Sequence, residues 1–337
     1  MCINIIDMHT SNLSGKRSYL AQQAAIIYTI ALLLLIFSSQ ALAAENGSNP
    51  VEVGDVRWTR DYPAALAASK ASGKPLFLLF QEVPGCIGCK TFGQDVLTHP
   101  LLVEAIEEEF IPVLIFNNKM TGMDAELLKR FGEPSWNYQV VRFINGDQKD
   151  IIPRRDKVWD LAGVASRMIQ TLQVLGIPVP RYLKAVALEH DTDNLETVVF
   201  ATACFWTGEH MLGKIDGVVQ TEAGWYDGRE VTLVRYHKNI IDLAGLVEQA
   251  AVLKCAQSVY VETERGDLSL PAKRFEPDRY RIASQSDQKR QIQRWLHTHQ
   301  SLSLTHMQLT KLNATMPDKP EEGLSWLSPR QLKMIEK

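Results

Sequence analysis

The stretch Gly73-Lys74-Pro75-Leu76-Phe77-Leu78-Leu79-Phe80-Gln81-Glu82-Val83-Pro84-Gly85-Cys86-Ile87-Gly88-Cys89 decides the fold of the first half of the chain. Pro75 to Phe80 is a short apolar run bounded by breakers, which reads as a buried strand. Pro84-Gly85 turns the chain. Cys86 opens the next helix, expected at about Cys89 to Leu97. A helix N-terminus offers unpaired backbone N–H groups and a partial positive charge, and both favour a thiolate over a thiol. The spacing sets Cys89 one helical turn on, where it can attack a mixed disulfide formed at Cys86. Cys86 is therefore read as the nucleophile and Cys89 as the resolving thiol. A static disulfide or half of a zinc site is the alternative, although no second C-x-x-C or paired His motif completes a zinc site.

Working outward, Asp61 to Ser72 reads as a helix and Gly73-Lys74 as its end. Leu101 to Glu109 is an amphipathic helix, Ile111 to Phe116 a buried strand and Ala125 to Phe131 a helix. Gln139 to Ile144 is a strand. Asn145-Gly146 then signals a hairpin leading to Lys149 to Ile152, and Val158 to Leu175 is a closing helix. This order suits a small sheet covered by helices. Gly176 to Pro180 breaks it, and 181–195 is a connector.

The Gly73 to Phe80 run resembles the strand that leads into a thioredoxin active site. Val83-Pro84-Gly85-Cys86 resembles a bacterial thioredoxin-like family in which the first redox position is often selenocysteine. Four features depart from ordinary thioredoxin. No tryptophan precedes Cys86. Ile87-Gly88 replaces Gly-Pro. No buried acid occupies the strand position held by Phe80. The place of the substrate-shaping cis-proline falls to Tyr138, or the loop holding Pro134 is rearranged.

A second module begins with the apolar strand Thr197 to Thr202 and runs into Ala203-Cys204-Phe205-Trp206. A single cysteine beside two aromatic rings has a bland reading as a packed thiol. Its place between a strand and a helix start points towards chemistry instead. Further strands are expected at Val218 to Ala223, Val231 to Tyr236 and Val259 to Glu264, with Asp227-Gly228 as a turn. Helices are expected at Gly208 to Leu212, Leu243 to Lys254 and Asp287 to Trp295. The last forty residues carry no clear pattern.

Ala203-Cys204-Phe205-Trp206-Thr207-Gly208-Glu209 resembles the Gly-Cys-Phe-Trp-Gly active site of the A-type peptide methionine sulfoxide reductases. Gly217-Val218-Val219, Gly224 to Gly228, Glu230 to Tyr236 and Tyr280-Arg281 extend the likeness. The resemblance implies that the Cys204 thiolate attacks a sulfoxide sulfur, with Phe205 and Trp206 holding the S-methyl group. Glu230, when protonated, would donate to the sulfoxide oxygen. Tyr226 and Tyr280 would contact substrate, and Cys255 is the candidate resolving thiol. The family's longer loop between Gly228 and Glu230, with its catalytic tyrosine, is nearly absent, and so are its C-terminal cysteines.

The expected architecture is therefore α/β and α+β, a thioredoxin-like domain over 52–180 followed by a reduced methionine sulfoxide reductase A-like domain over 196–337. The implied partners are a thiol reductant (thioredoxin-like or membrane-derived) and oxidised methionine or another small sulfoxide. The rival readings are a thiol-disulfide oxidoreductase with a non-catalytic second domain, and a sulfoxide-binding module.

Lys16-Arg17, the apolar run from Ala24 to Phe37 and Ala41-Leu42-Ala43 have the layout of a secretory signal over 1–43, followed by a polar linker over 44–51. The chain is then exported, to the periplasm or elsewhere outside the cytosol. Membrane anchoring through 24–43 is the alternative, although the run is shorter than the roughly 20 residues of a bilayer span. Translation starting at Met8 is a further option. The 337 residues suggest two domains, with 45% hydrophobic and 22% charged residues, enough for real cores. A net charge of -3 gives no reason to expect nucleic acid as a partner. No cofactor or metal site is expected, and His297, His299 and His306 read as surface residues.

Overall fold

The carboxylate of Asp61 accepts a hydrogen bond from the Ala64 N–H, and Pro63 follows in the first turn; together they start α1 (Tyr62–Ser72). A computed structural model describes residues 49–135, 139–263, 266–295 and 302–335. After α1 come β1 (Leu76–Gln81), α2 (Ile87–Asp95), α3 (Pro100–Glu109), β2 (Ile111–Phe116), α4 (Gly122–Phe131), β3 (Val140–Ile144) and α5 (Leu161–Val174). The strands form a sheet in the order β2-β1-β3, with β1 parallel to β2 and antiparallel to β3. Every residue of β1 is buried, because helices cover both faces. Phe77 and Leu79 face one apolar cluster, while Leu76, Leu78 and Phe80 face the other.

The second strand expected at Lys149 to Ile152 does not form. The Asn145 side chain accepts the Asp147 and Lys149 N–H groups, and only an isolated bridge joins Ile144 to Asp150. This Asx turn diverts the backbone before a ladder can grow.

The connector expected over 181–195 contains a helix, α6 (Arg181–Glu189). Tyr182, Leu183, Val186 and Ala187 pack with Leu102, Ile106 and Met168 of the first module. Ala185 turns to Val219 and Met307 of the second. Both modules are thus built on one shared helix, within the single compact unit that runs from Pro50 onward.

The second module continues with β4 (Leu195–Ala201), α7 (Phe205–Leu212), β5 (Val218–Tyr226), β6 (Arg229–His237), α8 (Leu243–Val252), β7 (Ser258–Val261), β8 (Ala272–Arg274) and β9 (Tyr280–Ile282). Its sheet has the order β8-β7-β4-β6-β5-β9, antiparallel except for the β7–β8 pair. Asp227-Gly228 makes a two-residue turn with positive φ at both positions, as the right-handed twist of a hairpin favours. The polar helix expected at Asp287 to Trp295 is a short 3-10 turn followed by α9 (Arg290–Trp295).

The last forty residues supply α10 (His306–Thr315), α11 (Pro320–Leu324) and α12 (Pro329–Ile335). Thr305 and Gln308 form a capping box at the start of α10, and the Glu189 carboxylate accepts the His306 and Met307 N–H groups. Arg330 donates its backbone N–H to Glu104 of α3 at 2.7 Å, tying α12 to the first module. Among the described residues no helix is long and apolar enough to cross a membrane. The expected signal segment, Tyr138, His297 and His299 lie outside the described residues.

Candidate redox sites

Cys86 is the N-cap residue of α2, with extended backbone, and the helix begins at Ile87. This is two residues earlier than the apolar pattern suggests, so the sulfur stands at the helix start. Cys86 is half-buried and Cys89 is buried, and both are thiols. Gly85 permits this packing, since a Cβ there would lie 2.6 Å from the Cys89 Cβ and 2.4 Å from the Glu82 carbonyl oxygen. Burial pushes the Cys89 thiol up to about 11, helped by the nearby Cys86 and Glu82 and opposed by a hydrogen bond from the Glu82 backbone.

Three side chains complete this site. One carboxylate oxygen of Glu82 and both sulfurs lie within 4.8 Å of one another. Glu52 is buried and accepts the Gly85 N–H at 2.9 Å. The Gln139 side-chain Oε1 accepts from the Cys89 thiol at 3.8 Å, and the Gln139 backbone carbonyl accepts the Trp159 indole N–H. None of these three was assigned from the sequence. Glu82 precedes the Val83-Pro84-Gly85 turn, and only the folding back of that turn brings it over the pair. Ile87, 80% exposed, leaves an apolar side chain in solvent beside Cys86.

Cys204 repeats the arrangement at α7. It is the N-cap residue, with extended backbone, and is half-buried. The Glu230 carboxylate accepts the Phe205 N–H at 2.8 Å, one residue from Cys204. The Thr202 N–H also donates to the Glu230 carbonyl oxygen, so β6 is pinned at the same point. Gly208 lets α7 lie against β6, because a Cβ there would meet the Thr232 Oγ1 at 2.1 Å.

Phe205 packs edge-on against Trp206 and Trp225, with ring centroids 5.8 and 5.5 Å apart. The Arg290 guanidinium covers the Trp206 ring at 5.2 Å. Lys289 is held by a buried ion pair with Glu209 at 2.5 Å, which fixes the segment carrying Arg290. Three polar atoms on the residues of this region are buried without a hydrogen-bond partner: Thr202 Oγ1, Trp206 Nε1 and Arg290 Nε. Such groups suit a ligand that brings hydrogen-bonding atoms of its own.

Glu230, Phe205 and Trp206 therefore stand beside Cys204. The two tyrosines do not. The hairpin register pairs Trp225 with Glu230 and Tyr226 with Arg229. Successive residues of a strand face opposite ways, so Trp225 shares the Glu230 face and Tyr226 takes the other. Tyr226 packs there with Tyr260 and Phe275, and its hydroxyl accepts the Glu276 N–H. Tyr280 pairs with Tyr226, lies over Gly224 and donates to Glu222 at 2.7 Å. The substrate-contact role expected for Tyr226 and Tyr280 is corrected accordingly, and Trp225 is the aromatic residue the sequence reading missed.

Cys255 is buried in the core beside Leu246, Val247 and Val259, and its thiol donates to the Ala250 carbonyl at 3.7 Å. Burial raises its pKa, which disfavours a nucleophilic role. The helices carrying Cys86 and Cys204 pack within their own modules, α2 on the Val51–Val53 turn and α7 on β5, β6, α9 and α10.

Comparison with known proteins agrees with this division. Residues 57–144 match the thioredoxin-like family, and residues 196–255 match the peptide methionine sulfoxide reductase family. The peptide methionine sulfoxide reductase MsrA of Clostridium perfringens (strain SM101 / Type A) is 37% identical over 70 residues, covering 16% of this chain and 45% of that protein. MsrA of Methanococcus maripaludis (strain C7) is 33% identical over 72 residues, covering 16% of this chain and 46% of that protein. The chain thus spans less than half the length of these curated relatives. Among solved structures, a DsbH oxidoreductase aligns over 42% of this chain and 99% of its own, with 17% identity and a TM-score of 0.31. The chain thus joins a segment similar to the thioredoxin-like family to a segment similar to part of the peptide methionine sulfoxide reductase family, with Cys86 and Cys204 each at the start of a helix.

Proposed function

We propose that the protein is an exported thiol-dependent oxidoreductase that reduces methionine sulfoxide, or a related methyl sulfoxide, at Cys204. The observation that carries this reading is the Glu230 carboxylate seated on the Phe205 N–H, beside Cys204 and the Phe205–Trp206–Trp225 wall. The Cys204 thiolate attacks the sulfoxide sulfur while the carboxylic acid form of Glu230 gives its proton to the oxygen. Methionine leaves and Cys204 becomes a sulfenic acid. A thiol then attacks that sulfur, releasing water and forming a disulfide. The Cys86–Cys89 pair supplies the two electrons and ends as its own disulfide. An external thiol reductant, thioredoxin-like or membrane-derived, restores the pair.

The test is reduction of a methyl sulfoxide by the mature protein with dithiothreitol. Turnover that disappears in Cys204→Ser supports the reading; a protein that binds the sulfoxide and leaves it unchanged contradicts it.

A second reading has an observation of its own. The tight Asp227-Gly228 turn leaves no room for the tyrosine-bearing loop that the resemblance leads one to expect. On that reading the protein exchanges disulfides at Cys86 and Cys89, and its second domain does no chemistry. Cys204→Ser would then leave every activity unchanged.

A further inference from the structure

We propose that Glu82 is the proton acceptor that activates Cys89 once a substrate disulfide has been captured on Cys86. The proposal rests on the reading of Cys86 and Cys89 as an exchanging pair, and it adds a catalytic residue to that pair.

Cys89 is fully buried, so bulk water does not reach its thiol in the folded protein. Burial also holds the thiol up at about 11. On that figure only about one molecule in ten thousand carries the thiolate at neutral pH. A buried resolving thiol of this kind needs a base within the site. The groups around it can be taken in turn. Gln139 accepts from the thiol but is a neutral amide and cannot keep a proton. Glu52 accepts the Gly85 N–H and has no carboxylate oxygen within 4.8 Å of both sulfurs. Phe80, in the strand below, is apolar and packed in the core. Cys86 is consumed in the mixed disulfide. Glu82 remains, with a carboxylate oxygen within 4.8 Å of both sulfurs, a gap that a small side-chain rotation closes. The hydrogen bond from its own backbone to the Cys89 sulfur stabilises the thiolate as it forms.

The Cys89 S–H proton passes to the Glu82 carboxylate. The Cys89 thiolate attacks the Cys86 sulfur, a Cys86–Cys89 bond forms, and the bond from Cys86 to the substrate sulfur breaks. The substrate sulfur leaves with the electron pair and takes up the proton, returning Glu82 to its carboxylate. The pair is oxidised by two electrons and the substrate disulfide is reduced.

The experiment uses the full chain carrying Cys2→Ser, Cys204→Ser and Cys255→Ser, reduced and mixed with 5,5′-dithiobis(2-nitrobenzoate). The first thionitrobenzoate released reports capture on Cys86, and the second reports attack by Cys89. The second phase is expected to run at a rate independent of pH between about 7 and 9. Glu82→Gln is expected to slow it 10- to 100-fold at pH 7 and to make it rise about tenfold per pH unit, with capture unchanged. Glu82→Asp is expected to recover part of the rate and the flat profile. A Glu82→Gln protein with the parent's rate and profile overturns the proposal. If that variant does not fold, a parent profile that climbs steadily towards pH 11 overturns it instead. Failure of the underlying reading looks different: the parent and a Cys89→Ser variant would then both lack a second phase.

Discussion

The two cysteine sites begin alike and end differently. Each cysteine stands at the N-cap of a helix that follows a strand buried at its C-terminal end, with extended backbone and a half-buried residue. Around Cys86 stand a second thiol, the carboxylate of Glu82 and the exposed side chain of Ile87. Around Cys204 stand one carboxylate, three aromatic rings and an arginine, and no second thiol one turn on. The backbone supplies a similar electrostatic start in both. The neighbours differ: one site holds a second thiol beside a carboxylate, and the other holds a carboxylate beside an aromatic wall.

The comparison can be broken most sharply by swapping losses. Cys204→Ser should lower sulfoxide reduction by at least about 10³-fold while leaving disulfide exchange intact, and Cys86→Ser should do the reverse when dithiothreitol supplies electrons directly. Assays of both variants on both substrates decide it; a parallel loss of the two activities would mean that the sites are not separate. Glu230→Gln should lower kcat/KM for the sulfoxide about 10²-fold, because the acid is lost and the anchor on Phe205 retained. Trp225→Ala should raise KM about tenfold, the loss of one apolar wall, whereas Tyr226→Phe should change it less than twofold. Equal effects from these two would contradict the hairpin register. The smallest effect is spectroscopic. With Cys2, Cys204 and Cys255 replaced by Ser, thiolate absorbance should show a step near pH 11 for Cys89, and Cys89→Ala should remove it. The sign follows from burial, which favours the neutral thiol; a complete titration below pH 9 would contradict it.

Much of this was legible in the chain. The strand before Cys86, both helix starts and the Asp227-Gly228 turn follow from local patterns, and the order of elements in the first module holds as far as β3. What escaped was set by tertiary partners. Arg181–Glu189 has apolar residues towards two sides, which looks like a connector until a module lies against each. Lys149 to Ile152 follows the Asn145-Gly146 hairpin signal, but the Asn145 side chain captures its backbone first. Trp225 could have been found. A two-residue turn at Asp227-Gly228 pairs 226 with 229 and 225 with 230, which puts Trp225 opposite Glu230 and sends Tyr226 to the far face. Glu82 could not, since its approach to the sulfurs depends on the path of the Val83-Pro84-Gly85 turn.

The central claim is that Cys204 and Glu230 reduce a sulfoxide with electrons drawn from Cys86 and Cys89. Its most direct test is a single turnover by the fully reduced protein, freed of external thiol and given methionine sulfoxide. About one methionine per chain is expected, with a Cys86–Cys89 disulfide found by mass spectrometry and none of either in Cys204→Ser. Recovery of all the sulfoxide unchanged, with the four thiols from Cys86 to Cys255 still reduced, would contradict it.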